Sequence, residues 1–514
     1  MWPFQNKNNT PPQTEPQPKV KRIRSLTSDR LKQEINNSRT YSDSIVGISN
    51  ERLSSMAGAY GNWNINQVLR QTLPSLRSAC RHLAVQNPFA KRYVSLSSNL
   101  VVGADGITVR PRPLTHDCTT NQELSERLEK AFYDWSENAS EFSFDGSLSI
   151  DLFQQLVERT RAIDGECFIR IHRDRQSVKF SIIDSARIPS TKNEILQNGN
   201  YISNGIEYDQ DSRVIAYYVA DIHPLNYSLH VSSCKRISAD EIIHYFIPEF
   251  PNQQRGIPDL CPSLKALQDY NAYIEATLIG KRISSSAMAF IKNDSDSGLL
   301  DEDEEQREYF EYLEPGSIKE LGRGQSIETI NPTAGVDKIS EFSEIIMQKI
   351  VAGLGTTKQN LTGDTSNASF SAAKMSDRIQ RDGMKTRSNL MISKVLKTIY
   401  QEWLKVYMIN TMKNLSFSDF DNIKNAEYIL PKQISLDPVK DAQYEQILLD
   451  MGVKSKSQII RDLNTDPIKV FEEINSEKEQ MQEKINKEEN IIVQGSTTDG
   501  IKQEDSNEGD KPIE

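Results

Sequence analysis

Long apolar runs are missing from this chain. None approaches the roughly 18 to 20 uninterrupted residues that a membrane-spanning helix needs. The mean hydropathy of −0.57 agrees, so membrane insertion is disfavoured. Cysteine is scarce: Cys80, Cys118, Cys167, Cys234 and Cys261 are odd in number, widely spaced and without a CxxC pair. That excludes a disulfide framework and suggests buried thiols in a reducing compartment. His82, His116, His172, His223, His230 and His244 fall in neither an HExxH pattern nor a CxxC plus HxxxH frame, so there is no zinc signature. No GxxxxGKS or GxxxxGKT loop is present, Gly322, Gly324 and Ser326 in LGRGQS are too closely spaced to cradle a phosphate, and no GxSxG elbow occurs. The chain therefore carries no sign of a motor, a hydrolase, a metal or a cofactor.

Positive charge is also in deficit. The net charge of −11 argues against a tight grip on nucleic acid, whose affinity comes mainly from neutralising phosphates. It does not exclude looser encounters with a polyanion. Asp164, Gly165 and Glu166 resemble a carboxylate pair for acid–base work. Asp-Gly ahead of an alternating strand is ordinary turn chemistry, and the structural reading is preferred.

What is present is enough apolar content, 37%, for a folded core in a 514-residue chain of two to four regions. Residues 1–55, rich in Pro, Gln and Asn with a basic cluster at Lys19, Lys21, Arg22 and Arg24, read as a disordered arm without a secretory signal. Apolar spacing predicts helix over 66–100 and over Asn121–Trp135 and Asp151–Ile163, with strand-like residues at 99–113. Between Glu166 and Phe246 the period becomes two: ECFIRIH and VKFSIIDSARI read as strands, and NGIEYDQDSRVIAYYV as a hairpin turning at Asp209–Ser212.

The segment QRGIPDLCPSLKALQDYNAYIEATLIGKRISSSAM, residues 254–288, reads as a turn-like lead-in and one long helix with two faces. Leu264, Leu267, Ile274, Leu278 and Ile283 form an apolar stripe, while Ala272, Ala276, Gly280 and Ser284 repeat every fourth position. Two such stripes suit packing against more than one neighbour. After a hydrophilic stretch containing Asp301, Glu302, Asp303, Glu304 and Glu305, strand-like pieces appear at Ser317–Leu321 and Ser326–Ile330. Helix returns from Val336 to Ala352 with Ile339, Phe342, Ile346 and Ile350 on one side. Gly353–Asn367 is expected to be a loop and Ser369–Asn410 a second long helix, with Lys374, Arg378, Arg381 and Lys385 along one side of its first half. Such a stripe is ordinarily a solvated or ion-paired face. Shorter helices broken at Gly452 and Pro467 follow over 437–483, then a polar tail from 489.

RGIPDLCPSLKALQDYNAYIEATLIG resembles the signature of lambda-type bacteriophage portal proteins. The flanks repeat the likeness in order, with NPFAKRYV, DGECFIRI, NGIEYDQDSRVIAYYV and ISADEIIHYF before it, and LEPGSIKEL, IVAGLGTTKQNLTGDTSNASFSAAK and SLDPVKDAQYEQILLDMGVKS after it. The resemblance implies a mostly α, α+β portal fold assembled as a ring. In that scheme 56–255 is the wing, 256–290 a stem helix, 291–335 the clip and 336–352 the second stem helix. A tunnel loop then occupies 353–368, a long helix returning to the wing 369–434, and a helical crown 435–488, before an acidic tail at 489–514.

The same resemblance implies a homododecamer at one capsid vertex of the virion, assembled in the bacterial cytoplasm. Double-stranded DNA would pass through it during packaging and ejection. The terminase large subunit would supply the ATP-driven work, with major capsid, scaffold and head-completion proteins as further partners and no membrane. It casts Lys358, Gln359, Asn360 and Thr362 as the tunnel loop and Lys374, Arg378, Arg381 and Lys385 as a stripe for transient phosphate contacts. Ala272, Ala276, Gly280, Ser284, Phe342 and Ile346 become the stem interface between subunits, and Asp301–Glu305 an acidic collar for terminase. The rival readings are a non-portal head–tail adaptor, for which the chain is long, and an enzyme with a scattered site.

Overall fold

The computed structural model describes residues 64–495 except 115–119, 224, 226–228, 286–288, 294–324, 330–338, 365, 367–368, 413–418, 431–436, 464 and 466. The amino-terminal arm, the acidic run Asp301–Glu305, the strand-like piece at 317–321 and the tail from 496 lie outside the described residues.

The chain opens with α1 (Ile65–Gln86) and α2 (Pro88–Val101), where one helical stretch was expected. The break is chemical: the Asn87 side chain accepts from the Phe89 and Ala90 amides, and Pro88, lacking an N–H, suits the first helical position. Strand β1 (Thr108–Pro111), α3 (Gln122–Ser136), a one-turn α4 (Ala139–Phe142) and α5 (Ile150–Asp164) follow. The strand-rich block comprises β2 (Glu166–Arg173), β3 (Val178–Ile183), β4 (Glu194–Ile195), β5 (Tyr201–Ser203), β6 (Ile206–Tyr208), β7 (Val214–Ile222), β8 (Leu229–Ser238) and β9 (Ile242–Phe246).

These strands make two antiparallel sheets, ordered β3-β2-β9 and β4-β5-β6-β7-β8. The expected hairpin is β6–β7, with the Arg213 amide closing onto the Asp209 carboxylate and Ser212 at φ +63°. The first half of strand β2 is buried on both faces. Cys167, Ile169 and Ile171 enter a core shared with α3, α5 and the later long helix, while Phe168 enters a second core between the two sheets.

A 3₁₀ turn (Cys261–Ser263) leads into α6 (Leu264–Ser285). Next come β10 (Ala289–Asn293) and β11 (Gln325–Thr329), an antiparallel pair whose first strand was not anticipated, then α7 (Ile339–Leu354). The expected loop over 353–367 is corrected in part, because it contains α8 (Lys358–Thr362). Thr357 accepts from the Asn360 amide at its start, Gly363 ends it in the left-handed region, and Leu361 is buried in a third core with α1, α2 and the base of α6.

The second long helix is α9 (Phe370–Met391) and α10 (Lys397–Thr411), joined by a π segment at Ile392–Leu396. α11 (Phe420–Ile423) and β12 (Ala426–Ile429) return the chain to pair with β1. The carboxyl-terminal helices are α12 (Pro438–Asp450), α13 (Lys456–Asp462) and α14 (Pro467–Gly495), broken near Gly452 and Pro467 as expected, although α14 runs beyond residue 488. Among the described residues no helix is long and apolar enough to cross a membrane.

Candidate functional site

The lead-in to α6 is pinned by buried charge. Arg255 is fully buried; its Nε and Nη2 donate to the Glu166 carboxylate at 2.6–3.0 Å, and its Nη1 donates to the Ile188 and Asn204 carbonyls at 3.0 and 2.6 Å. Glu166 also accepts from Arg77 Nη2 at 2.8 Å, His244 Nε2 at 3.0 Å and the Gly256 amide at 3.1 Å. Burial alone would raise the Glu166 pKa. The Arg255 charge and the hydrogen bonds from His244 and Arg255 outweigh it and hold the group far below the usual carboxylate range. Burial keeps His244 low and neutral, partly offset by its bond to Glu166, so it donates one N–H.

One step along, Asp259 accepts from Arg161 Nη1 and Nη2 at 2.8 Å each, from Arg387 Nη1 at 2.7 Å and from the Tyr93 hydroxyl at 2.9 Å. Burial pushes this carboxyl up, but the charges of Arg161 and Arg387 bring it down to about 2. Arg161 also donates to Glu158 at 2.7 and 3.0 Å, and Glu158 accepts from the hydroxyls of Tyr245 and Ser97 at 2.9 Å. Asp164 is held by Arg81, which also bridges to Asp184. α2, α5, β2 and α9 thus grip the short segment from which α6 departs, and α1 and β9 brace the carboxylates that hold it.

Local sequence dictates this placement. α5 ends at Gly165, in the left-handed region at φ +86°, and the reversal turns Glu166 inward as the first residue of β2. Each of these carboxylates is consumed by arginines, and Arg77 spans Asp164 and Glu166, at 4.0 and 2.8 Å, so the two form one ionic network and no acid–base pair. A buried pair of this kind resists distortion because removing one partner strands a charge, at about 3–5 kcal/mol. The hub is a rigid clamp.

From the clamp, α6 and α7 run as a pair. Ser263 Oγ donates to the Ile350 carbonyl at 2.9 Å, and a Cβ on Gly353 would collide with Ser263. Further out Tyr273 packs on Phe342 with ring centroids 4.7 Å apart. In the stripe expected between subunits, Ala272 and Ala276 are exposed, none of the described residues lies within 4 Å of a Cβ position at Gly280, and Ser284 lies in the last turn. Ile274, Leu278, Ile279, Phe342 and Ile345 are 39–63% exposed, so an apolar face of this pair meets solvent in the isolated chain. Ile346 is half-buried against its own chain's core because the lower half of α7 leans on the α6 base.

The residues cast as the tunnel loop lie on α8. Lys358 pairs with Glu344 at 2.9 Å, Asn360 Nδ2 donates to Gln380 Oε1, and the Thr362 hydroxyl donates back to the Lys358 carbonyl, with Gln359 between them on the same turn of α8. The turn is docked because Leu361 needs the core. In the basic stripe, Lys374 pairs with Asp441 at 3.0 Å and Arg381 with Asp377 at 2.6 Å, while Arg378 and Lys385 stay exposed.

Sequence reasoning missed Arg77, Arg81, Arg161, Arg255, Asp259 and Arg387. A signal existed for two of them. Arg77 falls on the buried side of α1 with Leu73, Leu76 and Cys80, and Arg161 on that of α5 with Val157, where a solvated charge has no place.

The phage portal protein family of the lambda type matches residues 54–387. A probable portal protein of Halomonas phage phiHAP-1 is 26% identical over 434 residues, covering 82% of this chain and 84% of the relative. Among solved structures, a chain in the neck of an empty gene transfer agent particle computed with C6 symmetry aligns at a TM-score of 0.46 with 14% identity, covering 81% of this chain and 99% of that one. An HK97-family phage portal protein from Corynebacterium diphtheriae aligns at 0.30 with 8% identity, covering 65% and 92%.

Proposed function

The chain belongs to the lambda family of phage portal proteins, structural components of the virion, and from that premise we propose that it forms a dodecameric ring at one capsid vertex. The ring passes double-stranded DNA inward during packaging and outward during ejection. It serves as the docking site for the terminase large subunit and then for head-completion and tail proteins, while major capsid and scaffold proteins surround it. The α6–α7 pair acts as the stem, the segment between β10 and β11 as the clip, the two-sheet block as the wing, and α12–α14 as the crown.

The observation that carries this reading is the exposed apolar face of α6 and α7 standing on a buried, densely paired ionic clamp. A lone chain gains nothing from keeping such a face in water, whereas a heterologous contact whose rotation closes repeats it around an axis. The clamp holds that face at a set angle to the rest of the subunit, which a ring of fixed number requires. The energy for packaging comes from the terminase, since the chain carries no nucleotide-binding loop.

Electron microscopy of purified protein, with its solution mass, tests the proposal. Rings with an axial hole and a mass near twelve times 58.4 kDa, roughly 700 kDa, support it. Protein that stays monomeric even with its capsid and scaffold partners would sink it.

A further inference from the structure

We propose that neighbouring subunits also join through the five-stranded sheet, the β4 edge of one copy seating in a groove beside the β8 edge of the next. This rests on the ring reading and names a second contact within it. The groove, about 700 Å³, lies between the outer side of α5 and the two sheets, with Phe144, Leu156, Ile163, Arg170, Val219 and Ile237 among its walls.

Helix α5 shows why the groove needs an occupant. Its inner side is spent on the core through Ile150, Phe153 and Val157, yet its outer side carries Leu152 and Leu156 at 54% and 40% exposure. A surface helix needs one apolar stripe, and a second one calls for a second partner. Phe144, 59% exposed and stacked on His172 at 4.0 Å, extends the apolar wall.

The occupant follows from sheet order and charge. With the order β4-β5-β6-β7-β8, the groove borders β7 and β8, and β4 lies at the opposite edge. A head-to-tail contact joins two different surfaces of the same subunit, and opposite edges of one sheet supply them. β4 carries Ile195 at 85% exposure with the exposed carboxylate Glu194 beside it. In the groove, Arg81 is taken by Asp164 and Asp184, and Lys235 by Asp221. Arg170, its side chain 38% exposed, has among the described residues only Glu241, at 3.6 Å. Ile195 of one copy therefore fits against Leu156 and Phe144 of the next, with Glu194 completing Arg170.

Charge reversal and crosslinking test this. Arg170→Glu is expected to remove the ring species from preparations in which the wild type forms rings, and the double variant R170E/E194R to restore it. Protein carrying Leu156→Cys and Ile195→Cys is expected to give a ladder of disulfide-linked multimers under mild oxidant, absent from either single variant. A wild type that never forms rings overturns the ring reading and this proposal with it. Wild-type rings, together with unaltered R170E rings and no ladder, overturn this proposal alone.

Discussion

Gly165 and Gly256 meet backbone to backbone: a Cβ on Gly256 would stand 2.5 Å from the carbonyl carbon of Gly165, and one on Gly165 would stand 2.5 Å from that of Ile257. This approach lets the Gly256 amide reach Glu166 and closes the clamp. Gly256→Ala is therefore expected to destabilise the subunit by about 3 kcal/mol, the upper part of the overpacking range. Urea denaturation of the monomer checks it, with an unchanged midpoint as the contrary result.

The Glu166–Arg255 pair is entirely buried. Arg255→Met should cost about 3–5 kcal/mol, because it strands most of a desolvated carboxylate's charge. Arg255→Met/Glu166→Met should recover part of that loss. A double-mutant cycle separates the coupling from lost packing, and additive effects would contradict the pairing.

Acid should loosen the clamp in a defined direction. Asp259 has a folded pKa of about 2 against an ordinary 3.8, and Glu166 is also held low. A depressed folded pKa contributes stability that is complete above the unfolded value and is lost as pH falls toward the folded one, here between about pH 4 and about pH 2. Arg387→Gln removes one charge holding Asp259 down, so its folded value rises, and the variant's stability should be lower at neutral pH and fall less steeply in acid. Denaturant midpoints across that range measure both slopes.

Gly280 faces open space and Ala276 is exposed. Ala276→Leu and Gly280→Leu are therefore expected to leave monomer stability within about 0.5 kcal/mol of wild type, as surface changes do, while lowering the fraction of closed rings. Solution mass and thermal melting, run in parallel, distinguish an interface defect from a folding defect. Normal rings from both variants would remove the stripe from the subunit contact.

Deleting residues 359–362 is a poor probe of channel function, because it takes Leu361 out of a core. Leu361→Ala should cost about 2–5 kcal/mol. Lys358→Ala removes only an exposed ion pair with Glu344 and should leave the melting midpoint unchanged. If α8 borders the channel, DNA retention falls in that variant; retention equal to wild type, with intact rings, would place α8 away from DNA.

Periodicity made most of the elements readable. The two-residue alternation of ECFIRIH and the Asp209–Ser212 turn became β2 and the β6–β7 hairpin, and Gly452 and Pro467 mark the breaks between the carboxyl-terminal helices. Local pattern was silent where a single residue decided the outcome. Asn87 divided a continuous apolar stripe into two helices, five residues of α9–α10 slipped into π geometry, and α8 hid inside a glycine-rich stretch. The Asp-Gly-Glu motif was legible as structural, but its partners lie 89 residues away at Arg77 and Arg255, and no local pattern joins residues so far apart.

By itself, the sequence determined the family, the alternation of helical and strand-rich regions, and the lack of any recognisable catalytic or nucleotide-binding motif. Those properties are written in spacing and residue type, which are local. Tertiary structure alone decided which charges are buried together, which helix faces stay uncovered and which sheet edges stand opposite each other. Ion pairing and burial depend on distances between segments far apart in the chain, and only the packed fold sets those distances.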